Sequence, residues 1–295
     1  MIPKIIKSTN LQLISPCYCA GANQQEAELR AASFRGELRW WFRCLGGTRK
    51  MESAVFGGGD APGTASAVAL LVRNIQAKPK FSWVPDQPKP NNKYNSDSDT
   101  PYYITYFLDK RKTAFLPPGL KFTLELRQLR EISADAKELL LLAWDCLCNL
   151  GAIGARKTRA LGAFAPVDPK EQKIPALIKN PKVTNKRFLI EYYDDIDYGA
   201  FTDPQAIIEV LSDCATWLKD YRQTYNMHPA KYGKGHSKEN PGISVFGNAI
   251  GGRQCSAVRF RPVLVNNKFR ICIFKAPDIT LCEQAKKHNI TTLQL

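Results

Sequence analysis

Residues 28–43 read Glu28-Leu29-Arg30-Ala31-Ala32-Ser33-Phe34-Arg35-Gly36-Glu37-Leu38-Arg39-Trp40-Trp41-Phe42-Arg43. Phe34, Leu38, Trp41, Phe42 and, just beyond, Leu45 recur at the spacing that lines the buried side of a helix. Arg35, Arg39 and Arg43 stand four residues apart, which stacks them along another side. Trp40 falls on the border between the two. Ser33 reads as the N-cap and Gly46-Gly47 as the stop. One short helix would therefore bury an apolar stripe and offer a row of guanidinium groups. Guanidinium is planar, permanently charged and suited to phosphate and to stacking. The candidate contacts are Arg30, Arg35, Arg39, Trp40 and Arg43, with RNA as the leading ligand and a plain solvated face as the alternative.

Working outward, residues 4–14 form an extended start and 64–73 a strand. Residues 75–100 are a polar insertion rich in Pro, Lys, Asn and Asp. Residues 102–107 are strand-like by aromatic and β-branched content, and 121–129 alternate as a half-buried strand. Ser133 opens a helix that runs to Leu150, with Gly151 ending it. A glycine-rich stretch, Gly151-Ala152-Ile153-Gly154-Ala155-Arg156-Lys157-Thr158-Arg159-Ala160-Leu161-Gly162-Ala163-Phe164, then leads to a last strand. The resulting order is the ferredoxin-like (RRM-like) one.

The second half repeats the theme more faintly. A strand is expected over 187–193. A helix follows, opened by Asp203-Pro204. Strands over 257–265 and 268–274 are joined by an Asn266-Asn267 turn, and Thr280-x-x-Glu283 is a capping box. The expected class is α+β, with tandem ferredoxin-like (RRM-like) domains over 1–168 and 169–295. Element order alone leaves one enlarged domain open.

The 295 residues carry a formal charge of +15, and the excess is clustered. It sits in 29–50, 146–167 and 226–275, the last holding nine Lys/Arg against one acidic residue. Clustered positive charge is the footprint of a polyanionic partner. The glycine loop supplies Gly151, Gly154, Arg156, Lys157 and Arg159 as candidate RNA contacts, its glycines permitting close backbone approach. It follows a helix rather than opening one, so it is neither a Walker loop nor a dinucleotide fingerprint. A third basic segment, 227–238, supplies Lys231, Lys234 and His236; Arg253 lies further on.

His228 and His236 near lysines could also serve acid–base cleavage of RNA. No apolar run reaches bilayer length and no signal peptide is visible, which points away from a membrane and toward the cytoplasm. The nine cysteines lack zinc-ribbon or thioredoxin spacing and read as reduced thiols. No cofactor, metal or catalytic residue is expected.

Several of these stretches occur in a family-like order. Ile14-Ser15-Pro16, Gly21-Ala22-Asn23-Gln24, Ala27-Glu28-Leu29-Arg30, Ser33-Phe34-Arg35-Gly36, Leu38 to Arg43 and Phe56-Gly57-Gly58 follow one another, with the glycine loop after them. This resembles the RAMP proteins of CRISPR systems, and most of all the first RAMP subunit of the type III-B (Cmr) effector complex. Arg253-Gln254-Cys255-Ser256 is more loosely similar to a C-terminal motif of that subunit. The resemblance implies a non-catalytic, cytoplasmic RNA-binding subunit in antiviral defence. It would contact guide (CRISPR) RNA and target RNA near the guide 3′ end, beside other RAMP subunits. The alternatives are a RAMP endoribonuclease acting through His228 or His236, and a standalone single-stranded RNA-binding protein.

Overall fold

A computed structural model describes residues 3–23, 25–58, 63–79, 104, 114–183, 189–193, 198–227 and 258–275. Thr280-x-x-Glu283 and nearly all of the 75–100 insertion and the 102–107 strand candidate lie outside those residues. The first sheet holds β1 (Lys4–Leu13), β2 (Val68–Arg73), β3 (Lys121–Gln128) and β4 (Phe164–Pro166) in the order β2-β3-β1-β4, all antiparallel. Between β1 and β2 run α1 (Ala31–Cys44) and α2 (Arg49–Phe56); between β3 and β4 runs α3 (Ala134–Leu150). That connectivity and strand order make the ferredoxin-like split βαβ arrangement.

Alternation along β3 decides which side of this sheet is core. Phe122, Leu124 and Leu126 point to the helices with Leu11 and Leu13 of β1 and Val68 and Leu70 of β2. The opposite side carries Asn10, Arg73, Thr123, Glu125 and Arg127. Glu125 bridges Arg73 and Arg127 there, at 3.2 and 2.9 Å. None of these is aromatic, so they offer no ring for a base to stack on.

The second sheet holds β5 (Leu189–Tyr193), β6 (Arg259–Val265) and β7 (Lys268–Lys275) in the order β5-β7-β6, also antiparallel. With α5 (Pro204–Met227) between β5 and β6, it repeats the first three strands of the split βαβ unit. A short α4 (Ile174–Ile178) links the halves. Asn266 and Asn267 turn the β6–β7 hairpin at φ 52 and 61, the left-handed pair a two-residue hairpin requires.

The two sheets share a core. Val263, Cys272 and Phe274 face the same cluster as α1 and α3, and the Trp41 and Phe274 rings meet edge-on at 6.1 Å. Phe260, Leu264, Phe269 and Ile271 face the other way, onto Ile207, Val210, Leu211 and Leu218 of α5. The helices α1 and α3 are thus sandwiched between sheets. This explains why the last turn of α3, Cys146 to Leu150, is buried all round.

Cys17, Cys19, Cys146, Cys148, Cys214 and Cys272 are buried thiols in these cores, and burial pushes Cys146, Cys148, Cys214 and Cys272 well above the ordinary thiol range. Among the described residues no three His, Cys, Asp or Glu side chains group as metal ligands. No described helix is long and apolar enough to cross a membrane.

Candidate nucleic-acid interface

The apolar stripe of α1 packs as its spacing requires: Phe34, Leu38, Trp41, Phe42 and Leu45 are all buried. Its start differs from the sequence expectation. The helix begins after Arg30, and Ser33 lies inside the first turn with its hydroxyl 3.5 Å from the Cys19 sulfur. No side chain caps it. The Ser33 and Phe34 amides instead reach the Arg30 carbonyl. Arg30 itself pairs with Glu28 at the surface and donates to the Ala20 carbonyl.

The arginine row is not a set of three equivalent exposed charges. Arg35 donates to the Phe56 carbonyl at the end of α2, where the last carbonyls have no helical partner. It is half-buried, with its Nε enclosed and unpaired. Arg35 is therefore a C-terminal cap for α2, and not the exposed contact that the sequence suggests. Arg39 and Arg43 do reach the surface, but both bind one carboxylate. Glu52 Oε1 accepts from Arg39 at 2.8 Å and from Arg43 at 2.7 Å. Burial raises the Glu52 pKa, but hydrogen bonds and charge from the two arginines outweigh it and hold the carboxyl below its usual range.

Sequence patterning singles out neither Glu52 nor the helix that carries it. The signals of α2 are nonetheless present: Thr48 caps it, accepting from the Met51 amide at 3.2 Å, and Val55 and Phe56 form its buried face together with Glu52 itself.

Glu37 is the second residue that sequence reasoning passes over. It falls three residues after Phe34 and four before Trp41, on the core side of α1, and it is fully buried. Lys157 of the glycine loop approaches Oε2 at 2.6 Å, and Arg259 of β6 approaches Oε1 at 3.4 Å. The Arg259 guanidinium also lies over the Trp40 ring, 3.7 Å from its centroid. Trp40 thus has a cation on one face, where the sequence suggests a base.

The glycine loop owes its conformation to the chain rather than to a ligand. A Cβ at Gly162 would lie 1.8 Å from the Ile153 carbonyl oxygen, one at Gly154 2.6 Å from that of Tyr18, and one at Gly151 2.2 Å from that of Leu147. Gly154 and Gly162 also have φ of +84 and +68. The close backbone approach expected for RNA is occupied by protein. The Ala155 amide donates to Tyr18, the Gly162 amide to Pro16, and the Ala163 amide to the Ser15 hydroxyl.

On its other side the loop extends the second sheet: the Phe260 amide donates to Thr158 and the Ala160 amide to Phe260. The loop is the joint between the halves, and it carries the half-buried Arg156, Lys157 and Arg159 on its turn.

The structure therefore brings Arg39, Trp40, Arg43, Lys157 and Arg259 around α1. Arg30 stands apart on its own surface pair. Lys231, Lys234, His236, His228 and Arg253 lie outside the described residues.

Comparison with known proteins agrees with this architecture. The family profile described as the RAMP superfamily matches residues 10–165. A Pyrococcus furiosus protein named CRISPR system Cmr subunit Cmr1-1 is 28% identical over 150 residues, 46% of this chain and 40% of that protein. Its namesake Cmr1-2 is 28% identical over 187 residues, 52% of this chain and 91% of that one. The chain thus spans well under half of the first relative and most of the second.

Among solved structures, apo Cmr1 from Pyrococcus furiosus superposes with a TM-score of 0.57 at 21% identity, covering 91% of this chain and 87% of that one. A chain of the type III-B Cmr-beta complex bound to cognate target RNA gives 0.53 at 13%, covering 92% and 94%. At these identities the superpositions speak for the fold.

Proposed function

The chain belongs to the RAMP superfamily, and on that premise we propose that it is a non-catalytic, RNA-binding subunit of a cytoplasmic type III-B (Cmr) effector complex. It contacts guide or target RNA near the guide 3′ end, beside other RAMP subunits. Base pairing supplies sequence specificity, and this chain supplies backbone contacts, which position RNA without reading it.

The observation that carries the reading is the convergence of cations from remote parts of the chain on one helix. Lys157 is 120 residues from Glu37, and Arg259 is 222 residues from it, yet both meet that carboxylate beside Trp40. A solvated charge stripe would not need partners from two other segments. The relatives' names, and the target RNA in the structural neighbour, point the same way.

The test is affinity purification of the full chain from its native cell, with identification of the captured subunits and RNA. Labelled RNA is then added to the purified protein. Guide RNA and further RAMP subunits should co-purify, and the isolated chain should bind RNA without cutting it. His228→Ala with His236→Ala should leave cleavage by the assembled complex intact. Metal-independent cutting by the isolated chain would instead make it an endoribonuclease. Capture of RNA from the cell with no other RAMP subunit would make it a standalone binder.

A further inference from the structure

We propose that Lys157 and Arg259 form a seat for one phosphodiester group of RNA at the joint between the two halves, with Glu37 as the residue that positions both cations. This rests on the RNA-binding reading above and adds a location, a ligand group and a residue acting through others.

Glu37 is enclosed completely, while Lys157 keeps 36% and Arg259 12% of its side chain exposed. The carboxylate lies behind and the cations lie in front of it. One carboxylate cannot satisfy the donors of an ammonium and a guanidinium together.

A third cation lies within electrostatic reach of Glu37. Arg261, two residues along β6 on the same side of the strand, is buried, with Nε and Nη1 lacking hydrogen-bond partners among the described residues. Burial lowers its pKa to about 10, and the nearby Glu37 charge acts against that fall, so it stays charged at neutral pH. Among the described residues two cations thus meet the Glu37 carboxylate, and a third lies near enough to feel its charge. Buried positive charge in excess of its counter-ions is costly, and an anion arriving at the exposed front would offset it.

Both cations are held in place. Arg259 is fixed in orientation by the Trp40 ring under its plane and by Glu37 at Nη1. Lys157 is fixed by Glu37 and by a loop whose backbone bonds to both halves. Neither half has the seat alone: Glu37, Trp40 and Lys157 come from the first and Arg259 from the second.

General electrostatics and positioning predict opposite signs for one variant. Glu37→Gln removes a negative charge and makes the protein more basic. If only net charge mattered, RNA would bind more tightly. If Glu37 positions the seat, RNA binds more weakly.

The experiment is anisotropy titration of the full chain with a short labelled single-stranded RNA, at several salt concentrations, with thermal melts of each variant. Wild type should bind. Glu37→Gln should bind about tenfold more weakly, the worth of one charge-assisted hydrogen bond. Its salt slope should be smaller by about 0.7, as expected when a single strand gives up one phosphate interaction.

Arg259→Lys keeps the charge and loses the planar stack, and should also weaken binding several-fold. It decides the matter if Glu37→Gln does not fold. Variants that bind as wild type does, or more tightly, with an unchanged slope overturn the seat and leave the RNA reading standing. A wild-type chain that binds no RNA, alone or in its complex, overturns both.

Discussion

Glu37 and Glu52 perform the same task in two settings. Each is one carboxylate shared by two cations. Glu52 works at the corner of α1 and α2, where Arg39 and Arg43 keep 38% and 48% of their side chains exposed. Glu37 works in the seam between the halves, fully enclosed. Glu52 takes partners from the preceding helix, 13 and 9 residues away. Glu37 gathers partners from distant parts of the chain. The difference teaches that a basic stripe holds two kinds of charge: some that water can screen, and some whose removal leaves a buried group unpaired.

The strongest way to break this comparison is to disrupt the seam's own backbone. Gly162→Val must displace the Ile153 carbonyl and adopt a positive φ that a β-branched residue avoids. The destabilisation should exceed ~4 kcal/mol and leave the chain unfolded at ordinary temperature, as read by circular dichroism. A folded variant with a native melting point would mean that the loop is not the joint.

Next comes Glu37→Gln, which takes from Lys157 and Arg259 the carboxylate they share in the seam. Breaking a buried pair costs roughly 3–5 kcal/mol, seen as a lower denaturation midpoint in urea. A shift of the size expected at the surface would place Glu37 in the same class as Glu52.

Glu52→Gln should cost only ~1 kcal/mol, since its partners are half exposed and solvated. Adding salt should shrink that difference, whereas the Glu37→Gln difference should hardly respond.

The corner also has a pH signature. The Glu52 carboxyl is held below its usual range in the fold, so its contribution is present above the unfolded pKa and disappears as pH falls through the folded one. Acid unfolding of wild type and Glu52→Gln should therefore converge below the ordinary carboxylate range. Parallel curves down to the most acid conditions would deny the shift.

The smallest effect belongs to Arg39→Ala with Arg43→Ala. Made in the Glu52→Gln background, so that the buried Glu52 carboxylate is not left unpaired, the double change should melt within about 1 kcal/mol of that background, because these are surface charges. If they touch RNA, the salt slope drops by about 0.7 for each phosphate released. An unchanged slope would leave the seam as the binding element and the corner as a solvated face.

The periodic elements are legible directly. The buried stripe of α1, the alternation of β3, the Ser133 cap and the Asn266-Asn267 turn are local patterns, and each appears where its spacing puts it. Boundaries slip where a local rule competes with packing. Ser33 resembles an N-cap, yet α1 starts earlier, where Leu29 and Ala31 already pack on the core. The short α2 and α4 escape a reading by period, being brief segments without a full repeat.

The candidate site is legible as residue types but not as a site. Sequence alone determined that guanidinium groups would line α1, that a glycine-rich basic loop would follow α3, and that an α+β fold of ferredoxin-like order would carry them. It did so because helix and strand periods and turn residues act over a few positions. Tertiary structure alone decided which charges are already engaged. Arg35 goes to the end of α2, Arg39 and Arg43 to Glu52, Lys157 and Arg259 to Glu37, and the loop glycines to the carbonyls of Leu147, Tyr18 and Ile153. The physical reason is range. A carboxylate buried in a low-dielectric seam must be met by whatever cation the packing delivers, and packing joins residues that no local spacing relates.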